Sequence, residues 1–282
     1  MQNILVPTDF SLQAHNAFEV ALQLAHRTGG RLILLHVVEA PHVSAMVTTG
    51  GVASNSSMEG VFMVQLLQRT KRRMHELRDE VASKWPEVSV EDRIATGPVD
   101  DSILEIIREQ HIDLVVIGAH KHAPGTHLFT PDSHAERLVR LAPCPVLTVK
   151  HPAPDFAVRS IVFASDFSEE ADRAVNSLRQ LSAAFPDAKL HLLDVVTSNG
   201  AAAPALDRIH TFAKRHQLTD YHPDVFTAGE VGEGIPTYAA QTHADLLVML
   251  THGHTGLSHL WHTNLAEHVA VQAATPVMTL HT

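Results

Sequence analysis

Short apolar runs alternate along the chain with segments whose apolar residues recur every three or four positions. The runs predict strands covered on both faces, and the spaced segments predict helices. In the first half, strands are predicted at Asn3–Pro7, Arg31–Val38, Val88–Ala95, Leu114–Gly118 and Pro145–Val149. Strands that alternate with helices are typical of a parallel sheet with helices on both faces.

Capping residues mark the predicted helices. Ser11 can cap the first helix and Gly29 can end it, whereas Ser168 takes the capping position in the second half. A longer helix carries apolar residues at spacings of four and three, at Met63, Leu67, Thr70, Met74, Leu77 and Val81. This spacing fits either a coiled-coil seam or a helix that packs one face on its own sheet. We favour the second interpretation, because three heptads that include a threonine make a short seam.

The second half of the chain repeats the first. Residues 4–11 (ILVPTDFS) align with residues 161–168 (IVFASDFS), and residues 113–117 (DLVVI) align with residues 245–249 (DLLVM). Residues 34–38 (LLHVV) align with residues 192–196 (LLDVV) at an offset of 158 residues, and the offset falls to 132 at residues 113–117, so the second copy lacks 26 residues between these two blocks. Each copy is long enough to fold around its own core.

The repeat sets the predicted domain boundaries. We predict one domain at residues 1–150, a linker at 151–158 that contains two prolines, and a second domain at 159–282. Residues 41–60 are small and polar and are predicted to form a mobile loop.

Composition narrows the class of protein. The 282 residues carry 21 basic and 31 acidic side chains, a formal net charge of −10, and a single cysteine. This balance excludes a disulfide scaffold and disfavours a nucleic-acid binder. The apolar runs fall far short of the roughly 18–20 residues that cross a bilayer, and no basic signal region precedes the first strand. We therefore expect a soluble cytoplasmic protein without a membrane or nucleic-acid partner.

Three motifs in each copy resemble the universal stress protein family. They are VPTDFS at residues 6–11, IGAH at 117–120 and APCPVL at 142–147, and in the second copy ASDFS at 164–168, THGHTGLS at 251–258 and ATPV at 274–277. The resemblance implies two tandem doubly wound α/β domains of the adenine nucleotide α-hydrolase-like fold. Each would hold a five-stranded parallel sheet of order 3-2-1-4-5, with its ligand beyond strands 1 and 4, where the order reverses.

Many members of the family bind ATP through G-x-x-G-x9-G-[ST] after strand 4, where glycines and a helix N-terminus receive phosphates. The nucleotide-binding residues that the resemblance implies here are Asp9, Val38, Gly118, His120, Ser133, Asp166, Val196, Thr251, Gly253, Gly256 and Asn264. ATP or another adenine nucleotide, with or without Mg²⁺, is the expected ligand. Asp9, Asp166 and Asp194 could hold ribose or Mg²⁺, but caps at strand-to-helix turns are equally expected of Asp9 and Asp166.

Both copies depart from this motif. In the first copy, Lys121 replaces the second glycine, and Asp132-Ser133 replaces the final Gly-Ser. In the second copy, Leu250 replaces the first glycine and Thr263-Asn264 replaces the final Gly-Ser, but Gly253 is kept and Gly256 is added. We therefore expect the second copy to hold a nucleotide more tightly than the first.

Histidines cluster after both fourth strands, at His120, His122, His127 and His134, and at His252, His254, His259, His262 and His268. Imidazole binds zinc, copper and nickel, but no H-E-x-x-H or cysteine-rich spacing accompanies these residues. We predict no metal site and interpret the clusters as solvated histidines. Cys144, between two prolines before a buried strand, is expected to pack in the core.

The expected function is a cytoplasmic stress-response module that binds an adenine nucleotide, with slow ATP hydrolysis at most. No catalytic residue is predicted, because the chain holds no nucleophile elbow and no G-x-x-x-x-G-K-[ST] loop. An alternative is a stress protein without nucleotide that acts through its 41–60 loop and long helix. Metal buffering by the histidine clusters is a third interpretation.

Single-domain members of the family tend to dimerise through the edge of the fifth strand, and a tandem chain can cover that edge internally. The resemblance therefore implies that Pro145–Val149 and Pro276–Leu280 lie side by side about a pseudo-two-fold axis, covering edges that would otherwise invite aggregation. The two domains are thus expected to form an intramolecular pseudo-dimer, and a homodimer is left open.

Overall fold

The computed structural model describes residues 1–39, 56–119, 133–251 and 265–281, apart from the side chains of residues 56–59 and 199. The strands within these residues are β1 (Asn3–Pro7), β2 (Arg31–Val38), β3 (Val90–Thr96), β4 (Leu114–Gly118), β5 (Val146–Val149), β6 (Ser160–Ala164), β7 (Lys189–Val196), β8 (His222–Thr227), β9 (Leu246–Thr251) and β10 (Val277–His281). The helices are α1 (Leu12–Thr28), α2 (Ser56–Lys84), α3 (Val99–Glu109), α4 (His134–Leu141), α5 (Val175–Ala184), α6 (Ala202–Arg215), α7 (Val231–Gln241) and α8 (Leu265–Gln272). Two 3₁₀ helices cover Glu169–Ala174 and Asn199–Ala201.

Over the described residues, the strands form one sheet in the order β3-β2-β1-β4-β5-β10-β9-β6-β7-β8. Within each half the order is 3-2-1-4-5, and all neighbours within a half are parallel. The predicted fold class is therefore confirmed. In both halves the strand order reverses between the first and fourth strands, which opens a crevice at their carboxyl ends.

The fifth strands join the two halves, as predicted. Strands β5 and β10 pair antiparallel, with Leu147 opposite Met278. Side chains also cross the junction: the Thr148 hydroxyl donates to the carbonyl of Ala270 at 3.0 Å, and Arg140 lies 2.9 Å from a carboxylate oxygen of Glu267. The junction is thus built like an intramolecular dimer interface.

Replacing Thr148 with valine is expected to lower the free energy of unfolding by about 1 kcal/mol, the usual net value of one buried hydrogen bond. Thr148 is 1% exposed, so the carbonyl of Ala270 would lose its partner where water cannot reach it. Denaturant unfolding measures the change, and Thr96→Val on the exposed end of β3 is the matched control. If Thr148→Val and Thr96→Val were equally stable, the hydrogen bond between Thr148 and the carbonyl of Ala270 would not contribute to stability.

Successive residues of a strand point to opposite faces of the sheet, and a layer of helices covers each face. Ile4 and Val6 of β1 contact the layer that contains α1 and α2, whereas Leu5 contacts the layer that contains α3 and α4. This explains why strand 1 is apolar without interruption. Met74 and Val81 of α2 are buried against the sheet, which confirms a helix that lays one face on its own domain. No described helix is both long and apolar enough to cross a membrane.

Several predicted details were wrong. Helix α2 begins at Ser56, so it includes the last residues of the predicted 41–60 loop, and residues 41–55 of that loop lie outside the described residues. The last strand covers Val277–His281 rather than Pro276–Leu280. Strand β3 begins at Val90, because the amide of Val88 donates to the carbonyl of Trp85 in the preceding turn. Strand β5 begins at Val146 rather than Pro145, since proline has no N–H for the ladder. Ser168 stands before a 3₁₀ helix, and its side chain makes no capping bond there.

Residues 151–158, the predicted linker, run alongside α1. Gln23 of α1 donates to the carbonyl of Ala153 at 2.9 Å and accepts from the amide of Phe156 at 2.6 Å. Phe156 and Val158 are buried in the same core cluster as the α1 layer. The segment between β5 and β6 is therefore held against the first copy by specific contacts.

Candidate functional site

The turn from β1 into α1 places Asp9 at the mouth of the crevice. The Thr8 hydroxyl accepts from the amide of Phe10 at 3.0 Å, and the Asp9 carboxylate accepts from the amide of Ser11 at 2.9 Å. Ser11 in turn caps α1 by accepting from the amide of Ala14. These bonds hold Phe10 in the left-handed region, with φ of 63°.

The second copy builds the same turn from Ser165, Asp166, Phe167 and Ser168. The Ser165 hydroxyl accepts from the amide of Phe167 at 3.1 Å, and the carboxylate of Asp166 accepts from the amide of Ser168 at 3.0 Å. Phe167 has φ of 54°. The carboxylates of Asp9 and Asp166 therefore both stabilise the turn before the helix, whereas the cap of α1 itself is Ser11.

Gly118 ends β4 where the first turn of α1 passes over it. A β-carbon built on Gly118 would lie 2.4 Å from the carbonyl carbon of Gln13 and 2.7 Å from the amide nitrogen of Ala14. Such distances to backbone atoms are far shorter than van der Waals contact. The glycine is therefore needed for the packing of α1 on β4, whatever binds nearby.

Ser133 caps α4 in a capping box. Its hydroxyl accepts from the amide of Glu136 at 3.2 Å, and its own amide donates to a Glu136 carboxylate oxygen at 2.7 Å. His134 and Arg137 of the same turn both reach the buried carboxylate of Asp100, at 2.8 and 3.1 Å. The helix N-terminus that faces the crevice thus already holds a carboxylate of its own chain.

A cavity of about 430 Å³ opens between these elements in the first copy. It lies at the carboxyl ends of β1 and β4, where the strand order reverses. Its lining residues include Thr8, Asp9, Leu35, His36, Val37, Glu39, Val99, Ile103, Ile117, Gly118, Ala119, Ser133 and His134. Its volume falls within the range of small-molecule sites, roughly 300–1,000 Å³.

His36 lines this cavity and was not among the predicted site residues. Its Nδ1 lies 2.7 Å from the carbonyl oxygen of Thr8, and its ring centroid lies 4.7 Å from that of Phe10. Because a carbonyl oxygen only accepts, Nδ1 carries the hydrogen in the neutral ring, and Nε2 is left as an acceptor. The repeat could have indicated this residue, since His36 aligns with Asp194, which the sequence did single out.

The predicted residues Val38 and Val196 end β2 and β7. Both are buried, and their carbonyls accept from the amides of Gly97 and Ala228, at 3.2 and 3.0 Å. Val38 is not among the residues that line the cavity, although Val37 and Glu39 on either side of it are. These two positions belong to the sheet more than to the crevice.

The corresponding crevice of the second copy holds an internal ion pair. Arg208 donates to a carboxylate oxygen of Asp194 at 2.6 Å and to the backbone carbonyl of Asp166 at 3.1 Å. Asp194 is 3% exposed. Burial raises the pKa of its carboxyl, and the charge of Asp166 acts in the same direction, while Arg208 opposes both. The Thr251 hydroxyl lies 3.3 Å from the carbonyl of Leu280, within the sheet.

Other predicted site residues, namely His120, Gly253, Gly256 and Asn264, lie outside the described residues, as do most members of the histidine clusters. Within the described ranges, no group of three metal-ligating side chains converges. Cys144 is buried, and burial raises the pKa of its thiol to about 12, which fits its predicted place in the core. Among the described residues, the candidate site is therefore built mainly from the first copy.

A doubly wound α/β fold with a cavity at the point where strand order reverses defines a class of proteins that bind small ligands there. Comparison with known proteins narrows that class. The model of the universal stress protein family matches residues 1–150 and 157–281. The chain belongs to the universal stress protein family.

Individual relatives agree with this membership. A universal stress protein from Synechocystis is 25% identical and spans 99% of both chains. A universal stress protein E homolog from Haemophilus influenzae is 27% identical over 73% of both chains. The crystal structure of a universal stress protein from Archaeoglobus fulgidus matches 99% of this chain and 98% of its own, with a TM-score of 0.73 and 16% identity, which shows the shared fold.

Proposed function

We propose that this tandem universal stress protein is a cytoplasmic stress-response module that binds an adenine nucleotide in the first copy. The observation that carries the proposal is the cavity of about 430 Å³ at the carboxyl ends of β1 and β4. It combines apolar walls, such as Ile103 and Ile117, with hydroxyl, imidazole and carboxylate groups at its mouth. A base and a ribose need that combination of surfaces.

The first copy is favoured over the second, although its glycine motif is the more altered one. In the second copy, Arg208 joins the carboxyl ends of β6 and β7 by bonding the Asp166 carbonyl and the Asp194 carboxylate. A ligand that used Asp194 would have to displace a short, charge-assisted hydrogen bond to a buried carboxylate. In the first copy, His36 takes the position of Asp194 and lines an open cavity.

The protein binds the nucleotide in this cavity and hydrolyses it slowly at most. Asp9 and Glu39 line the cavity and offer the carboxylate oxygens that Mg²⁺ prefers. The described lining residues include His36, but the ring hydrogen of that histidine is engaged with Thr8, and no positioned nucleophile accompanies it. We assign no catalytic residue.

Filling the cavity tests the proposal. Val99 begins α3 and lines the first cavity, and Val231 begins α7 at the same place in the second copy. We expect Val99→Trp to weaken adenine-nucleotide binding about tenfold or more, because the indole would occupy the space that the base needs. Val231→Trp is the matched control and should bind like the wild type.

Calorimetric titration of ATP and AMP into the three proteins measures the effect. The reverse result, with binding lost only in Val231→Trp, would assign the site to the second copy, as the glycines Gly253 and Gly256 predict. A wild type that binds no adenine compound would remove nucleotide binding altogether.

A second function, interaction with another protein, is supported by one feature of α2. Val61, Phe62 and Val64 are 58%, 54% and 54% exposed, although all three are large and apolar. Exposed apolar side chains concentrated within four residues are typical of a contact surface. The fifth-strand edge is already used between β5 and β10, so a homodimer would have to use another surface such as this one.

A further inference from the structure

The N-terminus of α4 is the place where a phosphate would be held in a crevice of this kind. A helix N-terminus offers unpaired amides and a partial positive charge to an anion. In this chain, the carboxylate of Glu136 occupies that position, because it accepts from the amide of Ser133 at 2.7 Å. The Ser133 hydroxyl is engaged with the Glu136 amide at 3.2 Å. The groups that a phosphate would use therefore bind a carboxylate of the chain itself.

The charges near this helix end also disfavour a phosphate. The described lining residues of the cavity include the carboxylates of Asp9 and Glu39, and they include no lysine or arginine. Arg137 and His134, in the first turn of α4, are directed to the buried carboxylate of Asp100. The carboxylates of Asp9 and Glu39 at the mouth of the cavity would repel a polyphosphate.

The deeper lining suits an uncharged ligand. Leu35, Val99, Ile103 and Ile117 provide apolar walls. His36 adds a hydrogen-bond acceptor, since its Nδ1 hydrogen is engaged by the carbonyl of Thr8. A base with an exocyclic amine and a ribose with free hydroxyls supply the donors that such an acceptor needs.

We infer that the first-copy cavity recognises the nucleoside part of an adenine nucleotide and that Glu136 takes the place of a phosphate at the N-terminus of α4. The inference rests on the proposed function and names the part of the ligand that contributes the affinity. Adenosine should therefore bind at least as tightly as ATP, and added phosphates should weaken binding.

The test uses a substitution that removes the charge and keeps the cap. Glutamine at the third helical position completes a capping box as glutamate does, so Glu136→Gln should fold like the wild type. Glu109→Gln removes the same charge at the exposed far end of α3 and is the matched control. Adenosine and ATP are titrated into the wild type and both variants by calorimetry, with and without Mg²⁺.

We expect Glu136→Gln to raise the affinity for ATP by about threefold to tenfold, in line with the effect of one charge at a helix N-terminus, and to leave the affinity for adenosine within about twofold. Glu109→Gln should change neither. If ATP binds the wild type about tenfold more tightly than adenosine, or if Glu136→Gln leaves ATP binding unchanged, the inference is wrong while nucleotide binding stands. If neither compound binds any of the proteins, the proposed function itself is wrong.

Discussion

Replacing Gly118 with alanine is expected to lower the free energy of unfolding by about 2–3 kcal/mol, the upper part of the range for overpacking a core. The added β-carbon would lie 2.4 Å from the carbonyl carbon of Gln13 and 2.5 Å from its oxygen. These atoms belong to the backbone of α1, so the whole first turn of the helix would have to move away from β4.

Denaturant unfolding at one pH measures the change. Gly60→Ala is the matched control, because Gly60 lies in α2 with no atom within 4 Å of a built β-carbon. That substitution should raise stability by about 0.5–1 kcal/mol, the usual gain when alanine replaces glycine in a helix. If Gly118→Ala were as stable as the wild type, the close approach of α1 to β4 would not exist in solution.

The fold could be predicted from the sequence because its signals are local and occur twice. Apolar runs predict the strands of the first copy, apolar spacing predicts α1 and α2, and the repeat of residues 4–11 at 161–168 predicts two copies of one design. The pairing of β5 with β10 was predicted from the resemblance, because single-domain members of the family tend to dimerise through this edge, and not from any residue in either strand.

The site was harder to predict, because it depends on contacts between segments that are distant in the chain. Gly118 carries the first glycine of a phosphate motif, and only the approach of Gln13 reveals that it serves helix packing. Ser133 matches the final serine of that motif, but its partner is Glu136. A motif defines residue types and spacing, whereas the same residues can be engaged by their own neighbours.

The ranking of the two copies illustrates the same limit. The glycines favoured the second copy, but no pattern along the chain indicates that Arg208 of α6 reaches Asp194 of β7. In the second copy, Leu250 stands at the position of Gly118. The helix after the β6 turn also differs from that of the first copy, because it begins as a 3₁₀ helix at Glu169–Ala174 instead of as an α-helix. A leucine side chain leaves no room for the close helix approach that Gly118 permits in the first copy.

Removal of Arg208 should destabilise the second copy strongly and in a pH-dependent manner. Arg208→Ala leaves the carboxylate of Asp194, which is 3% exposed, without its cation. Breaking a fully buried pair costs about 3–5 kcal/mol, and because Arg208 itself is half-exposed, we expect about 2–4 kcal/mol at about pH 8. Arg179→Ala is the control, since Arg179 is exposed and bonds only a backbone carbonyl.

The sign of the pH dependence follows from the raised pKa of Asp194, which burial produces and Arg208 opposes. A carboxyl whose pKa is higher in the folded than in the unfolded chain destabilises the fold as the pH rises through that raised pKa. Without Arg208 the pKa of Asp194 rises further, so the loss of stability caused by Arg208→Ala should be smaller at about pH 5, where the carboxyl is more protonated, than at about pH 8.

Urea unfolding of the wild type, Arg208→Ala and Arg208→Ala/Asp194→Asn at both pH values measures this difference. The double variant should recover part of the stability and lose the part of the pH dependence that Asp194 contributes, because position 194 then carries no buried charge. An equal deficit for Arg208→Ala at both pH values would mean that Asp194 is not the group that Arg208 neutralises.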